Sequence, residues 1–444
     1  MPDTDHGGIT AIEVGGFKSL VDTNRIEVRP LTILAGANSS GKSSIMQPLL
    51  LLKQTLDATY DPGPLLLDGP NVRFTSADQF LSNHSKSGDS GFSLRIEATG
   101  QVGVGLKFKK SPETGIEVTK TVWHAHPDTL TFTPNMSSED VYAEFTRIEK
   151  KTDVPFFILG DQSKASAKAT RIRCFLTVSI ERSTVSLTLD PAQLFEFGFA
   201  SFPTILRRII HVPGLRGNPE RAYRTAGVGQ LFPGTFETYV AGIIDHWKKS
   251  HHQERLEQLA SCLRLLGLTS SIDTQPIGET RVELRVGRVL DSPQGKPDLV
   301  NIADVGLGVS QVLPVVVALL AAEPGQLVYI EQPEIHLHPK AQVALAHVLA
   351  DAARRGVRVV AETHSQLLLL GIQTLVAKGE LDPALIKLHW FQRDEEGVTT
   401  IASHDVDENG AFGEWPEDFA DVSLSAESDF LDAATFRKNA AHGT

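Results

Sequence analysis

Residues 36 to 43 read Gly36-Ala37-Asn38-Ser39-Ser40-Gly41-Lys42-Ser43, which matches G-x-x-x-x-G-K-[ST] at every fixed position. The apolar run Leu31–Ala35 precedes this segment. After it, Ile45, Leu49, Leu52 and Leu56 fall at offsets of 4, 3 and 4, which is one face of a helix. A buried strand feeding a helix through a glycine-rich loop commits this part of the chain to an α/β arrangement. The chemistry follows from the backbone. Free N–H groups of the loop wrap a phosphate, and the helix N-terminus adds a favourable dipole. Gly36, Asn38, Ser39, Ser40, Gly41, Lys42, Ser43 and Ser44 are therefore the expected nucleotide-binding set. Lys42 is expected at the β- and γ-phosphates of ATP, and the Ser43 hydroxyl on Mg²⁺. A Gly-Ser turn that merely caps a helix is the competing reading; the strand before and the helix after argue against it. Pro48, inside the helix, is expected to bend it.

A phosphate loop needs an acidic partner, and Leu327-Val328-Tyr329-Ile330-Glu331 reads as a buried strand ending in a carboxylate suited to Mg²⁺. Gln332-Pro333-Glu334 places an amide and a second carboxylate beside it. Upstream, Asp304 to Gln311 forms a Gly-Ser turn that enters the apolar segment Val312–Ala322. Downstream, His364 follows the apolar strand Val357–Ala361 within Glu362-Thr363-His364-Ser365.

Composition removes several classes. The longest apolar run, Val312–Ala322, is eleven residues with Pro314 inside it; a membrane-spanning helix needs about twenty. Met1 to Gly8 is acidic and polar, so no secretory signal is expected. Cys174 and Cys262 are the only cysteines, which rules out a disulfide framework and fits a reducing, cytoplasmic setting. A net charge of −12 argues against a basic nucleic-acid coat.

The expected organisation is a split α/β core with insertions. Residues 1–87 carry the phosphate loop, and 88–190 hold many short strands, Val141–Ile148 among them, in an antiparallel sheet. Residues 191–280 are helical behind an Arg-rich loop, 281–385 alternate strand and helix as a mostly parallel sheet, and 386–444 form a hairpin and tail.

The order of phosphate loop, Gly-Ser turn, acidic strand end and strand-end histidine resembles the ABC-type ATPases. The wording Glu331-Gln332-Pro333-Glu334-Ile335-His336-Leu337-His338-Pro339, then Glu362-Thr363-His364-Ser365, is similar to the soluble RecF/OLD-like AAA family ATPases. The opening Ile12-Glu13-Val14-Gly15-Gly16-Phe17-Lys18-Ser19-Leu20 agrees with that group. The resemblance covers about 1–80 and 280–385. It implies a P-loop NTPase fold and a homodimer that sandwiches ATP, with Gly308, Ser310 and Gln311 meeting the γ-phosphate in trans and His364 sensing it. It also implies a separately encoded effector, a nuclease or toxin in a prokaryotic defence module, with direct action on DNA in repair or a barely hydrolysing ATP-gated scaffold as alternatives.

The chain departs from the group's pattern. Where the acidic strand end usually reads Asp-Glu, it carries Glu331 and Gln332. An amide is no general base, so slow hydrolysis is expected, with Glu334 as the substitute carboxylate. His336 and His338, next to Glu334 and Glu331, resemble a metal cluster but read better as a loop entering the Pro339 helix. Asp405-Val406-Asp407-Glu408-Asn409-Gly410 reads as a turn rather than a Toprim nuclease motif. The loop Pro213–Arg224, with Arg216, Arg221 and Arg224, suits either phosphate binding or solvent. Gln79 is the candidate lobe-joining glutamine.

Overall fold

The computed structural model describes residues 7–82, 90–113, 115–125, 127–149, 165–182, 185–189, 202–225, 229–288 and 298–413. In chain order, β1 (Ile9–Gly15) and β2 (Asn24–Glu27) lead to β3 (Leu31–Gly36), the phosphate loop and α1 (Lys42–Asp57). Then come β4 (Gly91–Ala98), β5 (Val102–Ser111), β6 (Gly115–Ala125), β7 (Asp128–Phe132), α2 (Ser138–Glu149), β8 (Ala165–Ile172), β9 (Phe175–Arg182) and β10 (Val185–Leu189). A third stretch holds α3 (Phe202–Arg207), β11 (Ile210–Val212), β12 (Tyr223–Arg224), α4 (Val240–Lys249), α5 (Gln253–Leu265), β13 (Ile272–Ile277), β14 (Arg281–Gly287) and β15 (Leu299–Asn301). The last contains α6 (Leu307–Ala321), β16 (Leu327–Glu331), α7 (Pro339–Arg354), β17 (Arg358–Thr363), α8 (Gln366–Ala377), β18 (Ile386–Arg393) and β19 (Thr399–His404).

The central sheet runs β11-β16-β17-β3-β18-β19, parallel except for β19. Side chains alternate across a strand, and here both faces are covered. Leu34, Tyr329, Val360 and Phe391 join the core shared with α1 and the antiparallel sheet β2-β1-β4-β5-β6-β7. Ile33, Ile330, Ala361 and Trp390 join the core with α4 to α8. Burial on both faces explains why these strands read as unbroken apolar runs.

Four expectations are corrected. The boundary at 87/88 cuts a single sheet, because β1 pairs antiparallel with β4. Val141–Ile148 is helical, in α2. Ser137 and Asp140 cap it reciprocally (Asp140 N–H to Ser137 Oγ 3.2 Å, Ser137 N–H to Asp140 Oδ2 3.1 Å), while Val141 and Phe145 bury one face. β14 lies outside the parallel sheet, pairing with β12, β13 and β15. Its buried Val282, Leu284 and Val286 alternate with more exposed Arg281, Glu283 and Arg285, as suits a strand covered on one face. Finally, the hairpin after 385 belongs to the core: β18 sits next to β3, and its first six residues are all buried. α1 runs unbroken through Pro48.

Candidate functional site

The phosphate loop closes where β3 meets α1. Gly36 has φ 142° and Gly41 φ 101°; a Cβ on Gly36 would lie 2.2 Å from the Phe391 carbonyl. Glycine is therefore required there, because β18 passes directly behind the loop. Ala37, Asn38 and Ser39 form the exposed tip, and Ser40 is buried beneath it. Gly41 gives the first turn of α1 no side-chain cap; its carbonyl accepts from the Ser44 N–H (2.9 Å), which leaves the Lys42 and Ser43 N–H groups to meet an anion. Thr399 of β19 holds the loop from behind, its hydroxyl 2.8 Å from the Ser40 carbonyl and 2.7 Å from Ser19 Oγ. Lys42 Nζ turns back onto the Gly36 (3.0 Å) and Ala37 (2.8 Å) carbonyls. Burial lowers its pKa, opposed by Glu362 and Glu334.

Strand register gathers the acidic groups. Glu331 and Glu362 are partners across β16 and β17, on the face toward α1. Ser43 Oγ donates to Glu362 Oε2 at 2.8 Å, and the buried Tyr329 hydroxyl donates to Oε1. Burial, and then the Glu331 charge, push the Glu362 carboxyl up to about 7. Glu331 instead accepts from the Gly214 N–H (3.0 Å) and lies 3.1 Å from His211 Nε2. Burial raises its pKa, but the His211 ring and the Gly214 N–H outweigh that and leave it low. The His211 ring stacks on Tyr329 with centroids 5.4 Å apart. A serine hydroxyl beside two mutually destabilising carboxylates fits a divalent cation, which would relieve their excess negative charge. The carboxylate bonded to Ser43 is Glu362, with Glu331, the expected Mg²⁺ carboxylate, its register partner on the neighbouring strand.

Glu334 is buried, and its Oε1 accepts from Thr363 Oγ1 (2.8 Å) and the His364 N–H (3.0 Å). Its Oε2 is buried with no partner. Burial and then Lys42 lower the His364 pKa, with a hydrogen bond to the Gly36 backbone opposing them; the imidazole is neutral at pH 7 and adjoins the loop. Gln332 has φ 46°, and its N–H donates to the Glu362 carbonyl at 2.9 Å, so strand pairing holds the turn after β16.

The Gly-Ser turn is the first turn of α6, uncapped at Gly306 with Leu307 exposed. Gly308 lies in that turn, and Ser310 Oγ donates to the Leu307 carbonyl (3.0 Å). Gln311 is buried, its amide donating to the Gly217 carbonyl (3.2 Å), so its expected trans contact with phosphate is not available in this arrangement. The buried Arg216 donates to the carbonyls of Gln311 (3.0 Å), Glu331 (2.7 Å) and Gln332 (3.3 Å), and burial lowers its pKa to about 10. Arg221 instead pairs with Asp304 at the surface (2.7 Å). His338 caps α7, its Nδ1 accepting from the Lys340 N–H (3.4 Å), and no cluster of three or more metal-ligating side chains occurs among the described residues. Asp405–Gly410 is a turn in which Asp407 Oδ1 accepts from the Asn409 and Ala411 N–H groups (2.9 and 2.8 Å). Gln79 bonds to Thr75 (2.8 Å).

Sequence reasoning missed His211 and Glu362 as site residues. The signal for His211 was the β-branched run Ile209-Ile210-His211-Val212 before Pro213; for Glu362, its same-face position two residues before His364.

The fold and site define an α/β P-loop NTPase. A protein-family profile described as "AAA domain, putative AbiEii toxin, Type IV TA system" matches residues 31–370, and the chain belongs to that AAA family. Among solved structures, the chain is similar to the SMC head bound to the C-winged helix domain of ScpA (12% identity, TM-score 0.44, covering 90% of this chain and 98% of that one). It is also similar to the SMC head domain from Thermotoga maritima (12%, 0.39, 90% and 99%). A third is the Smc head domain with an extended coiled coil, bound to the C-terminal domain of ScpA derived from Pyrococcus furiosus (12%, 0.40, 90% and 96%). No curated protein matches the chain. No helix among the described residues is long and apolar enough to cross a membrane.

Proposed function

We propose that the protein binds ATP and hydrolyses it slowly, that ATP closes a homodimer, and that closure controls a partner, a nuclease or toxin effector of a prokaryotic defence module. The observation that carries the ATPase reading is the convergence of Lys42, Ser43, Glu331, Glu362, Glu334 and His364 at the end of β3, β16 and β17. The family description, which names a toxin of a type IV toxin–antitoxin system, supports the defence role.

In this reading the free N–H groups of α1 and Lys42 bind the β- and γ-phosphates, Lys42 leaving its loop carbonyls to do so. Ser43, Glu362 and Glu331 would hold Mg²⁺, which supplies positive charge to the phosphate oxygens when bound. Glu334 Oε2 takes the proton of the attacking water, the role Gln332 lacks. His364 reports the γ-phosphate to α8. The exposed N-terminus of α6, with Gly308 and Ser310, faces the partner subunit's nucleotide.

The test is phosphate release at several protein concentrations, with and without DNA, for wild type, Lys42→Ala and Gln332→Glu. Slow turnover that rises more than linearly with concentration and vanishes in Lys42→Ala supports the paired-subunit ATPase, and faster turnover in Gln332→Glu supports a clamp held by the amide. Failure of the wild type to bind nucleotide would sink the reading; strong stimulation by DNA would favour repair over effector control.

A further inference from the structure

A cavity of about 530 Å³, which no phosphate-loop residue lines, lies between the 216–224 loop, α4, the β12–β14 edge and α6. We propose that it binds a phosphorylated small molecule that also carries a hydroxyl or amino donor. Arg224 and Arg281 are register partners on β12 and β14, and both line the cavity. Like charges directly opposite on a ladder are destabilising. Among the described residues neither has an ion-pair partner, whereas Arg221 nearby pairs with Asp304. An anion between them would turn that repulsion into attraction.

Deeper in the cavity, Arg216 is 5% exposed. Its terminal nitrogens are used by the carbonyls of Gln311, Glu331 and Gln332, but its Nε is buried without a partner. Glu237 also lines the cavity. Its Oε1 accepts from Thr235 Oγ1 at 2.8 Å, and its Oε2 is buried without a partner. Both atoms are closed to solvent behind the cavity wall, and an unmet donor and an unmet acceptor there are costly unless a shift of these two side chains lets a ligand supply their complements. Phosphate oxygens suit Arg216, Arg224 and Arg281, and a ligand hydroxyl or amine suits Glu237. The three guanidiniums outnumber the carboxylates of Glu220 and Glu237, and Leu284, Leu313 and Ile302 give an apolar floor for the ligand body.

The experiment is titration calorimetry on Lys42→Ala protein, in which the phosphate loop is disabled, using AMP, inorganic pyrophosphate and adenosine. The expected result is binding of AMP and pyrophosphate, with adenosine weaker by about tenfold or more. Adding Arg224→Gln and Arg281→Gln should weaken AMP about tenfold or more without lowering the thermal midpoint, since the opposed charges are gone. If the double variant does not fold, Arg281→Gln alone, at an exposed position, should give a smaller loss of the same sign. Absence of binding by both phosphate probes overturns the proposal, as does AMP binding that these arginine substitutions leave unchanged. Because Lys42→Ala is the starting protein, either failure leaves the ATPase reading standing.

Discussion

Glu334→Gln separates chemistry from architecture at one position. Glu334 Oε1 accepts two hydrogen bonds, from Thr363 Oγ1 at 2.8 Å and the His364 N–H at 3.0 Å, while Oε2 has no partner. A glutamine keeps a carbonyl oxygen for both donors and replaces only the free oxygen. If that oxygen is the general base, turnover at saturating ATP should fall about a hundredfold or more. Nucleotide affinity should hold or rise, because a negative charge near the phosphates is removed. Glu334→Ala makes the contrast: it strands the Thr363 hydroxyl and the His364 N–H, each costing about 1–3 kcal/mol when buried and unmet. The alanine variant should therefore unfold at clearly lower denaturant, whereas glutamine should stay close to wild type. The assays are phosphate release at saturating ATP, calorimetric ATP binding and urea unfolding of each variant. Wild-type turnover in Glu334→Gln would refute the argument, and an equal loss of affinity and turnover would assign Glu334 to binding instead.

Two further outcomes follow from buried polar contacts around the loop. His389, fully buried in β18, lies 2.8 Å from both the Glu27 carbonyl and Ser403 Oγ, and burial lowers its pKa to about 4. The unfolded value is about 6.5, so its contribution is complete above that pH and is lost as pH falls toward 4. Between pH 7 and 4.5 the loss is about 2.5 kcal/mol, and urea unfolding of His389→Gln should show an acid slope shallower by that amount; identical slopes would refute the assignment. Thr399→Val removes the hydroxyl that holds the Ser40 carbonyl at 2.8 Å. Stability should fall by roughly 1–3 kcal/mol and ATP should bind several-fold more weakly; a loop held by other contacts would leave both measurements unchanged.

What the sequence made legible is local. The phosphate loop, α1 and the Pro339 start of α7 depend on residues within a few positions of one another, so glycine placement, helical spacing and a cap suffice to find them. The antiparallel strands β4 to β7 alternate in burial and were legible for the same reason, whereas Val141–Ile148 misled because β-branched and aromatic residues also suit a buried helix face. The contacts that assemble the site are different in kind. Ser43 meets Glu362 across 319 residues, and that pairing depends on β17 lying between β3 and β16. Periodicity reports that a strand is buried on both faces but not which strands flank it, so β18 was readable as a strand yet not as a neighbour of β3. β11 is only three residues long, too short for any period, although its His211 reaches Glu331. The arginine loop shows the limit most plainly. Arg216 and Arg221 share one Gly- and Pro-rich segment, yet one is buried against β16 and the other pairs with Asp304 at the surface. Nothing in the composition of a loop distinguishes them, because the difference is made by whether a row of strand-end carbonyls happens to lie within reach.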